Sequence, residues 1–189
     1  MTSVPEIDVH EAGASLDRFR VLDVREPFEH AGPLGALEGA ENVPLAEVAE
    51  HPLDPSLSYL VVCRSGKRSE KACRILQERG VSKVTNLEGG LIAWHRADLP
   101  VVRRPIESLP DLLESLTAWL SQIGGTTRDQ ARGRLRDWAR RADDASLPDL
   151  DGRSVARLLD RVEEALREEG APPDLDLTIA AYRHDLAAL

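Results

Sequence analysis

The chain has 189 residues and a formal net charge of −9 at pH 7, which argues against nucleic acid as the main partner because phosphate binding requires a positive surface. Hydrophobic residues make up 42% of the sequence and charged residues 30%, as in a globular rather than a disordered protein. No apolar run approaches the ~20 residues of a transmembrane helix, and the N-terminus has no apolar segment of a secretory signal. Two cysteines are too few for a disulfide framework, so we expect a cytoplasmic protein without a membrane partner.

Residues 1–104 alternate strand-like and helix-like segments, which predicts an α/β fold with a parallel sheet. The short apolar runs typical of strands in such a sheet are 19–24, 42–45, 59–63 and 83–87. Apolar residues at helical spacing predict a helix over 67–79, and Gly80 is expected to end it. The resulting βαβ unit places a loop at the carboxyl end of a strand, where open α/β sheets bind their ligands.

A proline-rich break at 98–110 precedes a wholly helical region. Its amphipathic helices are predicted at 108–123, 127–142, 154–169 and 174–189, and four such helices suggest a small bundle. The second helix carries six arginines, which would suit either an acidic or nucleic-acid partner or a solvated face paired with Asp and Glu. The acidic surroundings favour the solvated face, and no chemistry is predicted for this region.

The first of the two cysteines, Cys63, lies among positive charges at the end of a predicted strand, where residues 63–69 read CRSGKRS. The helix that follows would present unpaired N–H groups and a partial positive charge, which favour the thiolate over the thiol. Formal charges of the same sign come from Arg64, Lys67 and Arg68. A core cysteine has no use for three adjacent cations, so we interpret Cys63 as reactive and Cys73 as packed inside its helix.

The loop after Cys63 has the composition of an anion-binding cradle. Backbone amides of 65–68 could converge around an anionic group on the sulfur. Gly66 permits a left-handed turn, while Ser65 and Ser69 supply hydroxyl donors. Six cations against two acids in 64–79 concentrate positive charge beside the thiol of an acidic protein, which predicts a site for a small anion.

The loop CRSGKRS resembles the active-site loop of the rhodanese family, and the resemblance extends over residues 1 to about 104. Three further motifs follow the family's order: LDVREPFE at 22–29, GALEGAENVPL at 35–45 and NLEGGLIAWHRADLPV at 86–101. The resemblance implies a doubly wound parallel sheet of about five strands over 1–104, followed by a helical region of unknown role, 105–189. The family's histidine, proline and glycine are replaced at Ala36, Glu38 and Asp98, which should change local loop geometry rather than the fold.

Loop length separates the chemistries of this family. Its sulfurtransferases have a six-residue loop, which CRSGKR from Cys63 to Arg68 resembles. The related phosphatases and arsenate reductases have a seven-residue loop with room for a tetrahedral anion. The resemblance therefore implies a thiosulfate sulfurtransferase, with a small phosphatase or arsenate reductase as a minor alternative.

The resemblance also implies a role for each site residue. Cys63 would take the outer sulfur of thiosulfate or another sulfane donor as a persulfide and pass it to a thiol or cyanide. The residues expected to bind the donor are Arg64, Ser65, Gly66, Lys67, Arg68 and Ser69. Asp23 and Arg25 are expected to brace the loop from a neighbouring strand. The five histidines have no metal-ligand spacing, so we expect no metal and no cofactor.

Two alternatives for the function stay open because an enzyme and a non-turnover persulfide carrier or sulfur sensor would both retain Cys63. In the second case the helical region 105–189 would recognise a partner protein. That region would otherwise pack on the first domain or form a homodimer through leftover apolar surface. The expected partners are a small anionic sulfur donor and a thiol acceptor, either a small molecule or a protein.

Overall fold

The computed structural model describes residues 3–143 and 150–189, and the chain divides into two compact units, Met1–Arg103 and Arg104–Leu189. A short 3₁₀ turn, Leu16–Arg18, joins the first helix of the first unit to its second strand. In chain order, the helices and strands of this unit are β1 (Glu6–Ile7), α1 (Val9–Ala14), β2 (Arg20–Asp23), α2 (Pro27–His30), β3 (Glu41–Asn42), β4 (Tyr59–Val62), α3 (Lys67–Glu78), β5 (Val84–Leu87) and α4 (Gly90–Arg96).

The five strands form one parallel sheet in the order β1-β5-β4-β2-β3. The chain leaves the centre of the sheet in both directions, which confirms the predicted doubly wound, five-stranded parallel sheet. Strand β3 lies at one edge, as predicted for 42–45, but covers Glu41–Asn42. The other edge strand, β1, was not predicted because its two residues are too few to show a hydrophobic period.

The central strand β4 places alternate side chains on opposite faces of the sheet. Val61 and Cys63 belong to an apolar cluster that includes Ala72 and Leu76 of α3. Leu60 and Val62 belong to a second cluster, which includes apolar residues of α1 and α4. The whole strand is buried, as expected where helices cover both faces. Cys63 therefore lies on the α3 face, just after the carboxyl end of the central strand.

The second unit consists, within the described residues, of the helices α5 (Leu109–Ile123), α6 (Arg128–Asp143), α7 (Gly152–Glu168) and α8 (Leu175–Ala188). Their bounds lie within two residues of the predicted ones, because each helix carries a clear apolar stripe. Ser108 caps α5, where its Oγ accepts the N–H of Asp111 at 3.3 Å. The stripes meet in one core of mainly Leu, Val, Trp and Ala side chains, so the predicted helical region is confirmed.

Several arginines of α6 are paired with acidic residues on a solvated surface, as the sequence favoured. Arg128 and Arg132 both form ion pairs with Glu114 of α5, at 2.7 and 2.6 Å. Arg134 pairs with Glu169 at 2.5 Å. These exposed pairs each contribute little to stability, but they give the arginines partners within their own unit.

Large hydrophobic side chains are exposed at few places in the described chain, namely Leu57, Val102 and Leu189. The helical unit contributes only the last of these, so nothing in its described surface adds support to the homodimer, which stays a prediction. Among the described helices, none combines the length and the apolar character needed to cross a bilayer.

Asp98 lies where the family pattern has glycine, and its φ is positive, at 53°. Every other described residue with a positive φ is a glycine. We expect Asp98→Gly to raise the free energy of unfolding by about 1 kcal/mol, because the left-handed conformation costs an ordinary residue about that much. Urea denaturation measures the change. Asp17→Gly, at an exposed aspartate of the 3₁₀ turn, should lower the same quantity because glycine weakens helical backbone. An unchanged or lowered value for Asp98→Gly would contradict the expectation.

Candidate active site

The candidate site is the loop that joins β4 to α3 through Cys63. Cys63 is fully buried, whereas Ser65 is exposed at the rim of the loop. Gly66 precedes the first residue of α3 with a φ of 86°, the left-handed conformation that was predicted for it. A Cβ at this position would lie 3.1 Å from the Gly89 nitrogen and 3.3 Å from the Leu87 oxygen. Glycine is therefore required both by the turn and by the close approach of a second backbone segment.

That second segment, the start of α4, fixes the carbonyl groups of the loop. The N–H of Leu91 donates to the Cys63 oxygen at 3.0 Å, and the N–H of Ile92 donates to the Arg64 oxygen at 3.0 Å. Both carbonyl oxygens are therefore turned toward α4. The first N–H groups of α3 have no carbonyl partner within their own helix, so the loop offers donors and a partial positive charge beside the sulfur.

Ser69 supplies the polar side chain in direct contact with the sulfur. Its fully buried Oγ lies 3.3 Å from Cys63 Sγ and 3.0 Å from the Gly66 oxygen. A hydroxyl has one hydrogen to donate, so it can serve either the Gly66 oxygen or the sulfur. A negatively charged sulfur is the stronger acceptor, and formation of a thiolate would therefore draw the hydroxyl toward Cys63.

The three cations of the loop have different surroundings. Arg68 donates from its two terminal nitrogens to Glu29, with Nη1 to Oε2 at 2.6 Å and Nη2 to Oε1 at 2.7 Å. This hydrogen bonding raises the pKa of Arg68. Arg64 is half-buried, and burial lowers its pKa. Lys67 is exposed at the rim. Arg68 thus offers a bound donor its formal charge rather than its paired terminal nitrogens.

Asp23 and Arg25 form a buried ion pair behind the loop, and each is 1% exposed. Arg25 Nε donates to Asp23 Oδ1 at 2.9 Å. Its terminal nitrogens donate to two main-chain oxygens, that of Glu29 at 3.0 Å and that of Gly35 at 2.7 Å. Burial alone would raise the pKa of Asp23, but hydrogen bonds from His30 and Arg25 outweigh it and the pKa is lowered. The pair therefore anchors α2, and α2 reaches the loop through Glu29.

Glu29 and His30 are the site residues that sequence reasoning missed. Glu29 holds Arg68, and His30 Nδ1 lies 2.9 Å from Asp23 Oδ2. Both residues are part of the single turn α2. The available signal was their position in or next to the motif LDVREPFE, directly after Asp23 and Arg25.

The second cysteine, Cys73, is buried in the core between α3 and the sheet, as predicted. Burial, followed by the nearby Glu6, raises its pKa to about 12, so it remains a thiol at neutral pH. Within the described ranges, no three His, Cys, Asp or Glu side chains are grouped so that they could hold a metal ion.

Comparison with known proteins places the similarity in the first unit. A family model described as "Rhodanese-like domain" matches residues 8–97. The protein "Sulfurtransferase" of Allochromatium vinosum is 38% identical over 86 residues, which cover 43% of this chain and 77% of that protein. "Thiosulfate sulfurtransferase GlpE" of Vibrio cholerae is 33% identical over 101 residues, 50% of this chain and 92% of that protein. "Putative sulfur carrier protein YrkF" of Bacillus subtilis is 32% identical over 98 residues, 49% of this chain and only 52% of that protein.

The buried pair predicts how stability depends on charge and pH. The pKa of Asp23 is lowered in the folded state. Its contribution to the free energy of unfolding is therefore complete above the ordinary pKa of 3.8 and is lost as the pH falls through the folded pKa. We expect Asp23→Asn to lower the free energy of unfolding by about 3 kcal/mol at neutral pH, because it leaves Arg25 buried without its counter-charge. The difference from wild type should shrink as the pH falls below 3.8.

Urea denaturation between neutral and acidic pH measures this difference. Asp17→Asn, at an exposed aspartate of the same unit, is the matched control and should follow the wild type at every pH. A difference between Asp23→Asn and wild type that stays constant with pH would contradict the assignment.

Proposed function

Because the chain belongs to the rhodanese family of sulfurtransferases through residues 8–97, we propose that it moves a sulfane sulfur from thiosulfate or a similar donor to a thiol or cyanide through a persulfide on Cys63. The observation that carries the proposal is the position of the Cys63 sulfur, at the start of α3 and 3.3 Å from the Ser69 hydroxyl. A sulfur within hydrogen-bond distance of a hydroxyl and beside a helix N-terminus is in the arrangement that activates a cysteine nucleophile.

In the first half-reaction the Cys63 thiolate attacks the outer sulfur of thiosulfate. The new S–S bond forms as the bond between the two sulfurs of thiosulfate breaks, and sulfite leaves with the electron pair. Cys63 then carries a persulfide whose terminal sulfur is negatively charged. The loop amides and the Ser69 hydroxyl stabilise this charge, and the positive charges of Arg64, Lys67 and Arg68 attract the donor.

In the second half-reaction an acceptor removes the terminal sulfur. Cyanide forms a C–S bond to it while the S–S bond breaks, which releases thiocyanate and restores the Cys63 thiolate. A thiolate acceptor reacts in the same way and leaves as a persulfide. Because the enzyme alternates between two covalent states, ping-pong kinetics are expected.

A persulfide carrier is the second candidate function. It is supported by the similarity to a protein named a putative sulfur carrier and by the helical unit, Arg104–Leu189, which we propose as a protein-recognition region next to a sulfur-handling domain of residues 1–104. The two candidates share the persulfide and differ in how fast an acceptor discharges it. A phosphatase is not favoured, because the loop from Cys63 to Arg68 has six residues.

Incubation with thiosulfate should add the mass of one sulfur atom to the intact chain and release one equivalent of sulfite. Cys63→Ala should abolish the addition, while Cys73→Ala, the matched change at the buried thiol, should retain it. Intact mass spectrometry before and after cyanide treatment measures both. Failure of the wild type to gain sulfur, or a gain in Cys63→Ala, would overturn the proposal.

Ser69→Ala should slow persulfide formation about tenfold, because one hydrogen bond to a charged group contributes about 1.5 kcal/mol. Sulfite release in a single turnover measures the rate. Ser82→Ala removes a hydroxyl from an exposed position outside the loop and should stay close to wild type. Equal rates in the two variants would remove the role assigned to Ser69.

The rate of persulfide discharge separates the two candidates. For an enzyme, cyanide or a small thiol should discharge the isolated Cys63 persulfide at least as fast as the measured turnover. For a carrier, the persulfide should form but resist both small acceptors. Stopped-flow mixing of the preformed persulfide with each acceptor distinguishes these outcomes.

A further inference from the structure

The carboxylate of Glu29 links the one-turn helix α2 to the loop that carries Cys63. The side chain of Glu29 is 9% exposed. The carboxylate accepts two hydrogen bonds from the guanidinium of Arg68, at 2.6 and 2.7 Å, in a bidentate fork. The same carboxylate accepts the N–H of Glu26 at 3.1 Å through Oε2. The carboxylate therefore binds both the backbone of its own turn and the side chain of Arg68.

The turn that carries Glu29 is itself fixed on both sides of this residue. Arg25 Nη1 donates to the Glu29 main-chain oxygen at 3.0 Å, and the neighbouring His30 bonds to Asp23 at 2.9 Å. The position of the carboxylate therefore follows from the buried ion pair of Asp23 and Arg25. A planar guanidinium bound at two points has little freedom to rotate.

The charge of Glu29 acts on both arginines of the loop. Its hydrogen bonds are the largest cause of the raised pKa of Arg68, to which Cys63 also contributes through its charge. Burial lowers the pKa of Arg64. The negative charge of Glu29 acts to raise that pKa, and the positive charge of Arg68 acts to lower it. Glu29 is therefore the counter-charge that allows two half-buried arginines to lie beside the same cysteine.

We propose that Glu29 is a positioning and specificity-determining residue for sulfur transfer, an inference that rests on the function proposed above. Its carboxylate fixes the position of the Arg68 guanidinium beside the Cys63 loop. The positive charge of Arg68 is thereby kept close to the negative charge of the persulfide. Glu29 also cancels one positive charge of the cradle, so the site discriminates less strongly in favour of doubly charged donors than its arginines alone would.

Two donors and three variants of the full chain test the two parts of this role. Thiosulfate carries two negative charges, whereas an alkyl thiosulfonate anion carries one and delivers the same sulfane sulfur. Glu29→Gln should lower kcat about tenfold with both donors because the fork is lost. It should also lower the KM of thiosulfate relative to that of the thiosulfonate about threefold, since one more positive charge acts on one more negative charge in a partly screened site.

The matched variants separate position from charge. Arg68→Lys keeps the charge but cannot form the fork, so it should lower kcat while the ratio of the two KM values stays at the wild-type level. Glu78→Gln removes the same charge from an exposed position at the far end of α3 and should leave both quantities unchanged. Should Glu29→Gln fail to fold, Glu29→Asp keeps the charge with a shorter reach and should behave as Arg68→Lys does.

The outcomes are distinct from those of the proposed function. If wild type forms no persulfide, the proposed function fails. If wild type is active and Glu29→Gln matches it, or lowers kcat without changing the KM ratio, the specificity role of Glu29 is overturned. A wild-type kcat in Glu29→Gln, in Arg68→Lys, or in Glu29→Asp where it replaces Glu29→Gln, would overturn the positioning role.

Discussion

The buried ion pair between Arg25 and Asp23 determines where the rest of the site can lie. Removing two charges from water is costly, and attraction between them offsets that cost only when their remaining hydrogen bonds are satisfied. Arg25 meets this condition through two main-chain oxygens, and Asp23 through His30. Two of these bonds tie α2 to the end of β2 and the third ties the turn around Gly35 to it, so the demand for satisfied charges also fixes α2 and this turn.

The alternation of side chains along β4 places the sulfur in relation to this pair. Because Cys63 continues the series of Tyr59 and Val61, it faces α3, and the same helix presents its N-terminus and Ser69 to the sulfur. The start of α4 binds the loop carbonyls from the other side. Apolar packing positions the sulfur, and backbone polarity makes that position suitable for a negative charge.

The sequence predicted the parts of the structure that depend on neighbouring residues. The four-residue strands β2, β4 and β5, the helix α3 and the left-handed Gly66 follow from apolar patterning and turn chemistry. The pairing of Arg68 with Glu29 joins residues 39 positions apart, and no local pattern encodes such a contact. Strand β1 was also missed, since two residues pair with β5 only after the sheet exists.

The same contact changes how the charge of the site should be counted. A count along 64–79 gives six cations and two acids, yet Arg68 is paired with Glu29, an acid outside that stretch. The field at Cys63 is therefore weaker than the sequence implies, and a larger share of it comes from helix and loop amides. Amides at fixed positions act over short distances, so a site of this kind selects by the size of the bound group as well as by its charge. The single sulfur atom of the proposed Cys63 persulfide would meet both conditions in a loop of six residues.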